Sequence, residues 1–218
     1  MNETIKNTII LTVITVIAGL FLGYVYDITK EPIRLQEEKT KQEAYQKVFP
    51  EAASFTKDNY DMNLEWGANL LYLAEAGYPD EEINEVMMAL DASGKECLGF
   101  VFMTTTHEGY GGDITISMGI KADGTVTGME ILSIGETAGL GMKAKEDAFK
   151  NQFANKAVTN FTYTKTGSTA DYEIDALSGA TITTNAVVNA VDATLVFYQD
   201  SNLSSGMYYG TSAGGAEQ

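Results

Sequence analysis

The chain has 218 residues and a formal net charge of −16, from 14 Lys and Arg against 30 Asp and Glu. So acidic a balance excludes nucleic acid as a partner, because neutralising phosphates takes clustered Lys and Arg. Cys97, His107 and Arg34 are each the sole residue of their kind, which excludes an intrachain disulfide, a cysteine-ligated cluster or multi-histidine metal site built by this chain alone, and an arginine clamp in the body of the domain.

Thr8 to Tyr26 is apolar and free of charge, long enough to cross the hydrocarbon core as a helix. Thr12 and Thr15 can bond back to their own helix, and Tyr24 and Tyr26 fall where an interfacial aromatic belt would lie. A cleaved signal peptide is the rival. It would have a shorter apolar core and a small-residue cleavage site, and Asp27-Ile-Thr-Lys-Glu-Pro32 offers none. The segment reads as an uncleaved single-pass anchor. Lys30, Arg34, Lys39 and Lys41 follow the span and only Lys6 precedes it, a count that favours a cytoplasmic domain.

Pro32 to Val48 is rich in Glu, Lys and Gln with Ile33, Leu35, Ala44, Tyr45 and Val48 interspersed. It reads as a helical stalk, either solvated all round or partnered on one side. Phe49-Pro50 marks a break. Residues 51–84 read as irregular, with Trp66, Leu70, Leu71 and Leu73, and Glu81 to Leu90 as a short helix. Cys97 to Thr105 is a candidate strand, and Ile114 to Ile120 a second, its Ile114, Ile116, Met118 and Ile120 alternating. The Ala122-Asp123-Gly124 turn leads into a third strand, Thr125 to Ile134. Together they predict an antiparallel meander. Lys143 to Lys156 reads as a helix with Ala148, Phe149 and Phe153 on one face. Phe161 to Lys165 and Tyr172 to Ile174 are short strands, and a helix of about four turns runs on to Tyr198. The Ser- and Gly-rich tail after Asp200 is expected to be disordered.

The last helix is preceded by Asp175-Ala-Leu177-Ser178-Gly179-Ala180-Thr181. The first N–H groups of a helix lack partners and its dipole favours negative charge, so this turn can hold a phosphate. Gly179 and Ala180 let a ligand approach the backbone. The same residues also suit a plain loop with a capped helix start.

Asp175 to Thr181 resembles the Asp-x-x-Ser/Thr-Gly-Ala-Thr motif of the FMN-binding domain family, which includes the G subunit of the Rnf ion-translocating ferredoxin:NAD oxidoreductase and the C subunit of sodium-translocating NADH:quinone oxidoreductase. Two glycine clusters strengthen the resemblance. Gly109-Tyr110-Gly111-Gly112 is similar to the family's Gly-Tyr-Gly-Gly stretch. Glu136-Thr137-Ala138-Gly139-Leu140-Gly141 is similar to its Glu-Thr-Pro-Gly-Leu-Gly signature, with Ala138 in place of proline, which loosens the loop. The resemblance covers about residues 95–198.

The resemblance implies covalent FMN, esterified through its phosphate to Thr181, with Asp175 and Ser178 in the recognition sequence of a separate flavin transferase. No His or Cys stands in the motif to activate the threonine. Leu177, Gly179, Ala180, Thr137, Gly139, Leu140, Gly141, Lys143, Tyr110 and Gly111 are the expected flavin contacts, with Met142 beside Leu140 and Leu177 on the apolar ring edge. Glu136 is expected to orient its loop, since placed against the phosphate it would repel.

The layout of these elements reads as α+β, with the strands grouped together and helices covering one side; a single N-terminal transmembrane helix precedes an antiparallel-sheet-plus-helices domain, which the resemblance implies binds FMN. The corresponding division is anchor 1–30, stalk and irregular region 31–94, FMN-binding domain 95–200 and tail 201–218. The implied role is electron relay within a membrane complex whose other subunits carry flavin or iron–sulfur centres, with the domain outside the cytoplasm, opposite to the charge count. The C-type quinone-reductase subunit and a membrane-tethered, non-redox binding or sensor module are the rival readings.

Overall fold

The structure, a computed structural model, describes residues 2–57 and 71–200, the last through its backbone alone. The expected tail and the stretch around Trp66 and Leu70 lie outside the described residues. The chain divides into two compact units, one ending at Gln42 and one beginning at Glu43.

Helix α1 (Glu3–Val48) runs through Pro32 without ending, so anchor and stalk are one helix. In the first unit its apolar side chains, Ile9 to Tyr26 among them, are exposed. Thr8 and Thr12 donate to the carbonyls of Thr4 and Thr8 at 2.9 Å, which satisfies their hydroxyls without water. Among the described residues this is the one helix long and apolar enough to cross a membrane.

The second unit is built on a five-stranded antiparallel sheet in the order β1 (Ser54–Lys57), β2 (Glu81–Leu90), β3 (Cys97–Thr106), β4 (Ile114–Lys121) and β5 (Val126–Ile134). The expected meander is therefore present, and it takes in residues ahead of Lys95. A short helix α2 (Asp147–Lys150) follows. A small parallel pair, β6 (Thr162–Thr164) and β7 (Glu173–Asp175), then leads to helix α3 (Thr181–Asp200).

The layout predicted helices on one side alone, but each face of the sheet is covered by a different helix. On one face Phe100, Phe102, Ile116, Met118 and Ile131 pack against Ala186, Val187, Ala190, Val191 and Phe197 of α3. Edge-on ring contacts join Phe102 to Phe197 at 6.2 Å and to Tyr198 at 6.3 Å. On the other face Tyr45, Val48 and Phe49, from the end of α1 and the residue after it, pack with Met87, Ala89 and Val101. The backbone of Val48 comes so close to Gly119 that a Cβ there would lie 2.7 Å from the Val48 carbonyl oxygen. Thr127 donates its hydroxyl to that same carbonyl, satisfying an acceptor that the helix end leaves open. The last turns of the stalk are therefore partnered rather than solvated.

Two expected helices take other forms. Glu81 to Leu90 is a strand, although Ile83, Val86, Met87 and Leu90 repeat at helical spacing. The register of β2 against β3 shifts between Ile83 and Glu85, and such a bulge changes which face the following side chains meet. Val86 then faces the α3 side and Met87 the α1 side. Burial on both faces outweighs the helix propensity of Glu, Met and Ala. Lys143 to Lys156 is a 3-10 turn (Gly141–Lys145), the four-residue α2 and a second 3-10 turn (Asn151–Phe153). Glu146 and Ala154 are extended and Asn155 has a φ of 58°, so no continuous helix forms. Phe149 and Phe153 are buried against one another at 5.6 Å, whereas Ala148 is exposed.

Candidate functional site

The end of β3, the start of β4 and the end of β5 lie at one end of the sheet, and the loops that leave them meet the beginning of α3. The approach to α3 is laced to its first turn. Ala180 donates its N–H to the carbonyl of Leu177 at 3.0 Å. Gly179 has a φ of +76°, a left-handed conformation that only glycine adopts cheaply. The Thr184 hydroxyl accepts the N–H of Leu177 at 3.0 Å and donates to the carbonyl of Ala180 at 2.9 Å. Thr184 also donates its own N–H to Ala180 at 3.0 Å, which is the first bond of the helix. The N–H groups of Thr181, Ile182 and Thr183 precede it and have no bonded partner among the described residues. No acidic residue stands in the first turn of α3, so nothing within that turn offsets the positive end of its dipole.

The loop after β5 lies against this turn. A Cβ on Gly179 would be 3.2 Å from Leu140 Cδ2. A Cβ on Gly141 would be 2.6 Å from Thr183 Oγ1 and 2.8 Å from Glu136 Oε2. The Thr137 carbonyl accepts the N–H groups of Leu140 at 3.1 Å and Met142 at 3.2 Å, which folds the loop back on itself. Lys143 is exposed and has no ion-pair partner among the described residues, leaving a free ammonium one residue past Met142.

The loop after β3 joins through Glu136. Glu136 is only 7% exposed, and its Oε1 accepts the N–H of Tyr110 at 2.7 Å. A Cβ on Gly111 would lie 2.3 Å from the Gly135 carbonyl oxygen, so the two backbones touch. Asn189, two turns into α3, donates to Glu108 Oε2 at 2.6 Å. The contacts thus bring Tyr110 and Gly111 against the 135–141 loop, and that loop, with Leu140 and Gly141, against Gly179 and the start of α3.

Not every expected contact faces the same way. The Asp175 carboxylate accepts the N–H of Ser168 at 2.6 Å, and the Asp175 N–H goes to Gln152 Oε1 at 2.6 Å, so Asp175 ties the β6–β7 unit together. Leu177 is partly buried and packs against the core cluster. Ser178, Thr137 and Gly139 are exposed, Met142 and Thr181 partly buried, and Ala180 buried. Exposed apolar side chains stand on each of these segments, Tyr110, Leu140 and Ile182 being 72%, 43% and 54% exposed.

One groove of about 380 Å³ is lined by Asp123, Gly124, Val158 and Tyr198. Another of about 360 Å³ is lined by Lys47, Thr127, Glu130 and Lys150. Neither contains a residue of the three loops. Free helix-start N–H groups, a free ammonium and close backbone approach suit a phosphate. The exposed apolar rim suits a flat ring beside it.

A buried acid network behind the site gave no signal in the sequence. Glu81 accepts the Thr106 hydroxyl at 3.1 Å, and Thr106 Oγ1 accepts the N–H of Glu108 at 3.2 Å. Burial pushes the Glu81 carboxyl up to about 7, with the neighbouring Glu108 carboxylate adding to the push. Burial likewise raises Asp192 to about 7, although it accepts the N–H of Phe161 at 2.7 Å. Glu81 lies in the segment read as a helix, so its position behind the β3 loop was hidden. Glu136 was legible only as a residue that orients its loop.

Residues 109–196 match the FMN-binding domain family. The chain is 32% identical over 201 residues to the G subunit of the Na(+)-translocating ferredoxin:NAD(+) oxidoreductase complex of Acetobacterium woodii, covering 89% of this chain and 91% of that protein. It is 28% identical over 194 residues to the G subunit of the ion-translocating oxidoreductase complex of Methanosarcina acetivorans, covering 87% and 92%. Among solved structures, the C subunit of the Na(+)-translocating NADH-quinone reductase of Parabacteroides distasonis is similar at 23% identity with a TM-score of 0.44. That match spans 52% of this chain and 60% of the other, under two thirds of its length. With an FMN-binding domain in place and nearly full-length relatives of one kind, the chain belongs to the family of G subunits of ion-translocating oxidoreductase complexes.

Proposed function

We propose that this chain is the single-anchored electron-relay subunit of an ion-translocating ferredoxin:NAD oxidoreductase complex, with FMN esterified through its phosphate to Thr181 Oγ1. The observation that carries the reading is the laced turn ahead of α3. It opens α3 at Thr181, whose N–H and those of Ile182 and Thr183 are unpaired among the described residues, with the Gly141 loop pressed against Thr183 of the same turn. FMN supplies reversible electron uptake and release, for which no side chain of this chain is suited.

The chain's own residues hold and orient. The N–H groups of Thr181, Ile182 and Thr183 receive phosphate oxygens, and the Lys143 ammonium adds charge at the open side. Tyr110, Leu140 and Ile182 supply the apolar surface for the ring. His107, the lone histidine, turns both ring nitrogens to carboxylates, Nδ1 to Asp113 at 2.8 Å and Nε2 to Glu82 at 3.9 Å, and no His or Cys stands in the motif to activate Thr181. Attachment therefore falls to a separate flavin transferase.

The first part of α1 anchors the chain in the membrane, with the domain on the extracytoplasmic side. Thr8 to Tyr26 has no Asp, Glu, Lys, Arg or His, so ion movement belongs to partner subunits. Those partners carry the flavin or iron–sulfur centres on either side of the relay.

The test is in-gel flavin fluorescence of denatured chain co-expressed with a flavin transferase. The wild-type band is expected to fluoresce and the Thr181→Val band to stay dark; a dark wild-type band overturns the reading. Protease added to right-side-out vesicles is expected to digest the domain, and protection would place it in the cytoplasm.

A further inference from the structure

We infer that Glu136 is the positioning residue that assembles the flavin site, its carboxylate acting as a clasp between the loop after β3 and the loop before α2. The inference rests on the reading of these loops as the flavin site. Its geometric part stands without the cofactor.

Three observations converge on this side chain. The first is its bond to Tyr110. Oε1 accepts a backbone N–H from a residue 26 positions earlier, at 2.7 Å, a short, charge-assisted bond. The second is its pressure on Gly141. A Cβ there would lie 2.8 Å from both Glu136 Cβ and Oε2, and 2.6 Å from Thr183 Oγ1. Gly141 is therefore caught between Glu136 and the first turn of α3. The third is burial. A glutamate that is only 7% exposed as a residue has given up much of its hydration, which is costly unless its partners are fixed. That cost is offset only in the assembled arrangement, so the side chain selects the geometry in which all three loops meet.

The ring-facing surface depends on this clasp. Tyr110 and Leu140 project from the two loops that Glu136 ties, and Ile182 from the helix turn that Gly141 touches. If the Tyr110 bond is lost, the first loop still meets the 135–141 loop through Gly111 on Gly135 and α3 through the Asn189 bond to Glu108, neither of which involves the Tyr110 backbone N–H. Reach matters here more than charge. A glutamine at 136 still offers Oε1 to the Tyr110 N–H, whereas an aspartate keeps the charge and falls one methylene short.

The experiment compares full-length wild type with Glu136→Gln, Glu136→Asp and Glu136→Ala in two readouts. Hydrogen exchange on chain prepared without the transferase reports the Tyr110 amide. Exchange is expected to be slow in wild type and Glu136→Gln, and roughly tenfold or more faster in Glu136→Asp and Glu136→Ala, as for loss of a bond to a charged acceptor. Fluorescence anisotropy of the flavin on transferase-treated chain reports ring immobilisation. It is expected to fall in the Asp and Ala variants and to hold in the Gln variant, while intact mass shows the same FMN increment in all four. Should the Ala variant fail to fold, the Gln and Asp pair carries the comparison. Unchanged Tyr110 exchange in the Asp variant, or unchanged anisotropy there, overturns the clasp. A wild-type chain without an FMN increment overturns the flavin reading instead, and the exchange data still judge the clasp.

Discussion

Leu177 donates its backbone N–H to the hydroxyl of Thr184 at 3.0 Å, seven residues further on and one turn inside α3. That hydroxyl in turn donates to the Ala180 carbonyl at 2.9 Å. One buried oxygen thus fixes the loop on which Thr181 is presented. Replacing Thr184 with valine keeps the shape and leaves the Leu177 N–H without its partner. A loss of about 1–3 kcal/mol is expected, with Thr184→Ser recovering most of it. Urea denaturation of the three proteins checks this, and a valine variant as stable as wild type would contradict it.

The seat of α1 on the sheet makes a second prediction. A Cβ at Gly119 would lie 2.2 Å from Thr127 Oγ1 and 2.7 Å from the Val48 carbonyl oxygen, and Thr127 bonds that carbonyl. Gly119→Ala is expected to push Val48 and Phe49 off the back face and to destabilise the domain by about 1–3 kcal/mol. Thermal unfolding should show a lower midpoint, and protease should cut sooner near Phe49. An unchanged midpoint would mean that the helix end is not seated on this face.

The buried acids set the pH dependence of stability. Glu81 and Asp192 are held at about 7 in the folded chain, against roughly 4 when unfolded. Between those values the folded chain binds protons that the unfolded chain has lost, so stability falls as pH rises from about 4 to 7 and levels off above. His107 acts in the same direction. Its bond to Asp113 raises its pKa, so its contribution is full below the unfolded value and is lost as pH climbs through the folded one. The melting temperature is expected to be higher at pH 5.5 than at pH 8. Glu81→Gln, neutral at every pH and still able to accept the Thr106 hydroxyl, should flatten the slope. A melting temperature that rises from pH 5.5 to 8 would contradict this account.

The sheet was legible where period-two patterning survives on one buried face, as in Ile114, Ile116, Met118 and Ile120. It was hidden in β2, where burial on both faces and a bulge beside Asn84 produce helical spacing in a strand. The loop ahead of α3 was legible because its residues match a family motif and the helical spacing begins directly after it, whereas the left-handed conformation of Gly179 appears only in the fold. The clasp by Glu136 and the Glu81 network were not legible, since each joins strand ends that only the folded sheet brings together. Asp175 shows the converse. Its place in a recognisable motif says nothing of the Ser168 N–H that its carboxylate holds in the fold.

Intact-mass and peptide-mapping spectrometry of the chain extracted from membranes in its assembled state tests the attachment most directly. The expected result is one FMN less one water on the peptide containing Thr181, absent from Thr181→Val. A membrane-extracted, assembled wild-type chain with no such increment, or with the increment on another residue, would contradict the account.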